Sequence, residues 1–187
     1  MAKQTWKPGN MVYPLPALMV SYKRPGEKAN IITIAWAATV CSTPPMVSVS
    51  IRKERYSYDI IKETGEYVIN LTTKDLAYAT DLCGVKSGRD IDKFKEAHLT
   101  EEPSQVVAAP GIAESPVNIE CKVTDVKDLG SHTMFIAEVV NVQVDDKYMD
   151  ENGKFHLNDA GLIAYSHGAY RELGEAIGTF GHTVKKK

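Results

Sequence analysis

NIITIAWAATVCSTPPMVSVSIRKERYSYDII, residues 30–61, holds the decisive pattern of this chain. Residues 30–40 are rich in Ile, Thr, Trp and Ala and read as one strand. Residues 46–51 alternate, with Val47, Val49 and Ile51 on one face and Ser48 and Ser50 on the other, as in a half-buried strand. That strand runs into Arg52, Lys53 and Arg55. Ser57 then stands where an N-cap belongs, predicting a short helix over residues 58–63, with Gly65 as its left-handed terminator.

Working outward, residues 11–22 are apolar but interrupted by Pro14 and Pro16, which places a strand start at Ala17. Pro25-Gly26 marks a turn. Residues 66–71 predict a strand, residues 74–82 a helix ended by Gly84, and residues 91–97 a short helix after the loop VKSGRD. The proline-bearing stretch 100–116 reads as loop. Residues 117–128 and 133–145 form the clearest hairpin, around a loop at 129–132. Residues 150–153 make another turn, and from Gly161 onward no helical period is visible. A strand-rich order with short inserted helices predicts a small antiparallel barrel rather than a doubly wound sheet.

The length of 187 residues suits a single domain spanning 1–187. A net charge of -2 argues against an overall basic nucleic-acid binder, and Lys185, Lys186 and Lys187 read as a solvated tail. No apolar run approaches the ~20 residues of a membrane span. Cys41, Cys83 and Cys121 are far apart and make no CxxC pair, so a reduced, cytoplasmic setting is expected. Asn70-Leu71-Thr72 matches a glycosylation triplet that has no meaning in such a setting.

Four stretches bear chemistry. The junction at residues 50–57 joins a hydroxyl, cations and a helix start, the devices that hold a small anion. A solvated turn is the commoner fate of such a cluster taken alone, and a nucleic-acid patch lacks interleaved aromatics. SGRDIDKF, residues 87–94, offers an N–H-rich turn with Arg89 and Lys93 four apart, or simply charge pairing with Asp90 and Asp92. In residues 30–43, Ala37 and Ala38 let a flat ligand approach the backbone, Trp36 stacks on it or fills a core, and Cys41 suits a structural thiol. His132 stands at the hairpin tip. The five His show no metal spacing, and signatures of hydrolases, P-loops and dinucleotide folds are missing.

Together, residues 30–71, DLCGVKSGRDIDKF and LGSHTMFIAEVVNV resemble the flavin reductase-like family of FMN-binding split barrels, flavoredoxin type, over residues 17–168. The resemblance implies a six-stranded antiparallel Greek-key barrel with short peripheral helices, a homodimer, and FMN held noncovalently near the dimer interface. It puts the flavin contacts on Asn30, Trp36, Ala38, Thr39, Val40 and Cys41. At the junction they fall on Ser50, Arg52, Lys53, Tyr56 and Ser57, and in the later loop on Ser87, Gly88, Asp90 and Lys93. His132 and Tyr165 complete the set. Of the three junction cations, Arg52 and Lys53 are expected to face the ligand and Arg55 ranks last. The family often has His-Thr where this chain has Tyr56-Ser57, and the hydroxyl is kept. No catalytic acid or base is required, since the flavin carries the hydride or electrons through its N5. NADH or NADPH is a candidate donor, and a partner protein a candidate acceptor. The competing readings are a noncatalytic nucleic-acid or protein-binding module using residues 52–55, and a related barrel holding haem or a deazaflavin.

Overall fold

The computed structural model describes residues 1–184, so the lysine run at 185–187 lies outside the described residues. Its strands are β1 Leu15–Pro16, β2 Leu18–Tyr22, β3 Asn30–Ile34, β4 Ala37–Ser42, β5 Pro45–Arg52, β6 Glu66–Leu71, β7 Glu101–Glu102, β8 Gly111–Ile112, β9 Val117–Asp128, β10 His132–Val144, β11 Ile163–Ser166 and β12 Ala169–Glu172. The helices are α1 Tyr56–Thr64, α2 Ala77–Val85 and α3 Lys93–Glu96.

The main sheet has seven strands in the order β3-β2-β6-β9-β10-β5-β4, with every neighbouring pair antiparallel. β3 and β4 are consecutive in the chain yet occupy opposite edges. The single strand expected over residues 30–40 is therefore broken at Ala35 and Trp36. Its first half pairs with β2 and its second with β5. The Ser50 N–H donates to the Trp36 carbonyl at 2.8 Å, which holds the bend against β5. Counting the bent stretch once gives the six strands of the expected split barrel. The sheet curls into a half-barrel, and the chain itself bridges its two edges.

Alternation decides which side chains fill the barrel. Val20 and Tyr22 of β2, Val49 and Ile51 of β5, Tyr67 of β6 and Phe135 of β10 share one buried cluster, capped by Ile60 and Ile61 of α1. Met19, between the inward residues of β2, faces the other way and joins Ile31, Leu76, Cys83 and Phe94 in a second cluster under α2 and α3. β2 and β3 are thus covered on both faces, which explains their nearly unbroken apolar sequence.

Several local expectations change. α1 begins two residues earlier than the cap chemistry implied: Arg55 is the N-cap, in extended conformation, and Ser57 lies inside the first turn. Gly65 ends α1 with φ 68°, as expected. Residues 74–76 form a 3-10 turn leading into α2, and Gly84 lies within α2 rather than ending it. The reason is packing, since a Cβ there would sit 3.2 Å from Thr33 Cβ. Pro16 lies in β1, at the edge of a small sheet with β11 and β12, where a missing donor is harmless. His132 is the first residue of β10, paired with Arg52, not a loop tip. Asn70 of the triplet is fully buried, with its amide donating to the Met19 carbonyl and accepting from Asn118.

The loop 103–109 is tied down mainly by one buried carboxylate, with Glu66 also accepting from the Ala108 N–H at 2.7 Å. Glu120 is fully buried and accepts from the N–H groups of Gln105, Val106 and Val107 and from Asn141 Nδ2, at 2.7–3.1 Å. Burial alone pushes its pKa up, but these hydrogen bonds outweigh burial and the carboxyl titrates below its ordinary range. Glu120 therefore stabilises the fold at neutral pH, and this contribution is lost as pH falls through the depressed folded-state value. Glu120→Gln should lower stability at pH 7 by about 2 kcal/mol, the scale of charge-assisted bonds. Urea unfolding at pH 7 and at pH 4 should show the gap between variant and parent narrowing on acidification; an unchanged gap would count against the carboxylate's role.

Candidate functional site

The bend and the start of α1 leave two adjoining cavities. The first, of about 410 Å³, is lined by Trp36, Ser50, Arg52, Arg55, His132 and Tyr165 among others. The second, of about 280 Å³, contains Arg55, Ser57, Lys86, Arg89 and Lys93. They share Ile32, Arg55 and Gly84, and so form one groove.

In the first cavity, Trp36 sits at the bend, 40% exposed. Its indole lies nearly parallel to the His132 ring, 8° apart with centroids at 6.1 Å. Pairing of β10 with β5 sets His132 opposite Arg52. Burial, and then the Arg52 charge, push His132 below its ordinary pKa, which keeps the imidazole neutral at pH 7. Tyr165 of β11 closes the far side, with its ring against Tyr13 and Tyr170.

In the second cavity, Ser57 is 1% exposed, and its hydroxyl makes no hydrogen bond of normal geometry among the described residues, although the Tyr22 hydroxyl lies near enough to interact weakly. No side chain caps the N-terminus of α1 beside it. Lys93 is 4% exposed. Its ammonium donates to the carbonyls of Ile31 and Cys83, each at 2.7 Å, and among the described residues to no carboxylate. The expected pairing of Asp92 within its own loop gives way to a longer reach: Asp92 pairs with Lys28 at 3.1 Å and caps α3. Arg55 and Lys86 have no ion pair among the described residues, whereas Glu54, the acid of this wall, pairs with Arg52 at 3.3 Å. The cavity therefore concentrates positive charge around an unsatisfied hydroxyl, which is the chemistry of an anion site.

Twelve of the residues expected at the site line these cavities or the one beside them. Trp36, Ser50, Arg52, His132 and Tyr165 meet in the first, and Tyr56, Ser57, Ser87, Gly88 and Lys93 in the second. Asn30 and Asp90 flank a third space, which also reaches Tyr56 and Gly88. Gly88 is there for close approach, since a Cβ would meet Asn30 Nδ2 at 1.8 Å. Ala38, Thr39, Val40 and Cys41 stand on the edge strand β4, outside the three cavities. Lys53 pairs with Asp128 and lines none of them. The expected division of the junction cations changes in part: Arg52 lines the first cavity as expected, Lys53 does not, and Arg55, placed last, lines both halves of the groove from the N-cap of α1. Arg89 and Lys86 join it, and clustering of cations near residue 87 was the available signal.

This combination of a split antiparallel barrel and a cationic groove at its seam belongs to a known class. The profile of the flavin reductase like domain matches residues 11–174, and the chain is a member of that family, one of flavin-related oxidoreductases. Flavoredoxin of Desulfovibrio vulgaris (Miyazaki F) is 30% identical, superposes with a TM-score of 0.90, and is covered over its whole length by 98% of this chain. Flavoredoxin from Methanosarcina acetivorans is 25% identical with a TM-score of 0.88, covering 98% of both chains. The reductase component of a 4-nitrophenol 4-monooxygenase/4-nitrocatechol 2-monooxygenase from Rhodococcus opacus is 29% identical over 59% of this chain and 56% of its own.

Burial pushes Lys93 down from 10.5 to about 8, with the Arg55 charge adding to the effect. Between those two values the unfolded chain holds a proton that the folded chain has released, so stability rises with pH across that window. Ligand-free protein should gain on the order of 2 kcal/mol between pH 8 and pH 10 relative to Lys93→Met. Parallel urea titrations of the two proteins across that range test this, and identical pH slopes would contradict it.

Proposed function

We propose that this chain holds FMN noncovalently along the groove, with the phosphate in the cationic cavity and the ring system beside Trp36 and His132, and serves as a flavin-dependent oxidoreductase. The observation that carries the reading is the buried Ser57 hydroxyl, without a hydrogen bond of normal geometry among the described residues, set beside unpaired Arg55 and Lys93. A phosphate supplies the acceptors and charge that these groups lack. When bound, the flavin supplies hydride and electron transfer, and the protein supplies binding and electrostatics. Ser57 donates its O–H to the phosphate, while Arg55 and Lys93 neutralise it. The uncapped first turn of α1 adds backbone N–H groups. The neutral His132 and the half-exposed Trp36 frame a flat slot next to Ser50 and Arg52.

The partly enclosed groove favours a retained cofactor over one that leaves each turnover, in keeping with the likeness to two flavoredoxins. The likeness to a monooxygenase reductase component supports NADH or NADPH as the donor. A second copy of the chain is the proposed cover for the open edge of β4, where Ala38, Thr39 and Val40 face out and Val40 is 48% exposed. An electron-transfer protein is the proposed acceptor. Three free thiols suit a reducing cytoplasm, and among the described residues no helix is long and apolar enough to cross a membrane.

An absorbance spectrum of the purified protein after FMN addition and desalting tests the reading. Flavin bands should persist, and anaerobic NADH or NADPH should bleach them. Ser57→Ala should weaken FMN binding about 10- to 100-fold, the range for losing a hydrogen bond to a charged group. A colourless protein that takes up no FMN but binds nucleic acid in a salt-dependent way would replace this reading with that of a binding module.

A further inference from the structure

We propose that Arg89, packed on Tyr56, closes the anion end of the groove and makes this site select a terminal phosphate monoester, FMN, over a dinucleotide, FAD. This rests on the flavin reading above. The Arg89 guanidinium lies 5.2 Å from the centroid of the Tyr56 ring, and its Nη1 donates to the Glu54 carbonyl at 3.4 Å. It thereby joins the loop after α2 to the β5–α1 junction, the two segments that frame the cationic cavity. The loop itself is set by short-range bonds: the Arg89 N–H donates to Ser87 Oγ, and the Asp90 and Ile91 N–H groups to the Ser87 carbonyl. Close packing of Gly88 on Asn30 fixes its distance from the sheet.

Two different environments lie on either side of this closure. Inward are Ser57, Arg55 and Lys93. Outward is the third cavity, of about 280 Å³, which shares Tyr56, Gly88 and Arg89 with the second. Its charged side chains are Arg89 itself, Glu27, Lys28, Asp90 and Asp92. Lys28 is already paired with Asp92, and Glu27 lies 3.9 Å from Arg24, so among the described residues the space beyond Arg89 offers a second phosphate no unpaired cation and adds the Asp90 carboxylate. A monoester ends where the cations are. A dinucleotide has no terminal phosphate at that point, and its second phosphate and nucleoside must continue past Arg89 into an acidic space. A like-charge wall of this kind rejects a ligand more sharply than a missing contact does.

The test is titration of the flavin-stripped full-length protein with FMN and with FAD, followed by flavin fluorescence, for the parent, Arg89→Ala and Tyr56→Leu. The parent should bind FMN at least about tenfold more tightly than FAD, a ratio within the reach of one pocket wall. Arg89→Ala should weaken FMN and leave FAD unchanged or tighter, bringing the ratio to within about threefold. Arg89 is exposed, so this variant should keep its fold. Tyr56→Leu opens the same wall without deleting a charge, and should narrow the ratio mainly through FAD. Equal affinities in the parent, or equal proportional losses for both flavins in Arg89→Ala, would overturn the selection proposal while leaving the flavin reading intact. Failure of the parent to bind either flavin would overturn both.

Discussion

One hydrogen bond organises this molecule: the Ser50 N–H to the Trp36 carbonyl, at 2.8 Å. It holds the point at which a single extended stretch leaves one edge of the sheet and joins the other. β3 and β5 are brought together by this bend without being paired as strands. A gap is therefore built into the barrel, bordered by Ile32 and Ile34 on one side and Ser50, Ile51 and Arg52 on the other. The groove is a consequence of how the barrel closes. An antiparallel sheet that ended in two free edges would carry unpaired N–H and C=O groups along both; here the bend converts one edge into the wall of a site.

The electrostatics follow from where acids are available. Arg24, Lys28, Lys53 and Lys147 on the surface each have a carboxylate partner, and such exposed pairs contribute little to stability. Arg55, Lys86 and Lys93 in the groove have none among the described residues, although the chain as a whole carries a net charge of -2. Burying an ammonium without a counter-ion is costly, and so is burying a hydroxyl without a well-formed hydrogen bond. Both costs fall within one cavity, around Lys93 and Ser57, and the proposed anion would relieve both at once.

Period-two patterns made much of the fold legible. β6 and β9 have the bounds their sequences imply, and β5 differs by a residue at each end. The break at Ala35-Trp36 was not legible, because no glycine or proline marks it and the bond that holds it comes from a residue fourteen positions on. The β11–β12 hairpin was missed for a different reason. Its turn, His167-Gly168, has φ of 51° and 87°, the geometry usually signalled by Asn-Gly or Asp-Gly. At the junction, the cluster of cations was visible, but its division was not. Beyond the last residue of β5 the chain no longer alternates, so Lys53 swings to Asp128 while Arg55 turns into the groove. Ser57 was legible in place but not in geometry. It lines the cationic cavity, yet it lies inside the first turn of α1 rather than at its cap.

Lys93 shows how a proposed binding group can also be structural without the two roles conflicting. Its ammonium links the Ile31 carbonyl of β3 to the Cys83 carbonyl of α2, and it opens α3. These two bonds tie the helical layer to the sheet next to the groove. A neutral amine keeps two N–H donors, enough for both carbonyls, whereas the positive charge belongs to the third proton alone. Loss of that proton removes the attraction for an anion but leaves the link between β3 and α2. The scaffold of the site is thus insulated from the titration of its own cation, and a bound phosphate, by favouring the charged form, draws the proton back to where the burial of Lys93 had made it costly.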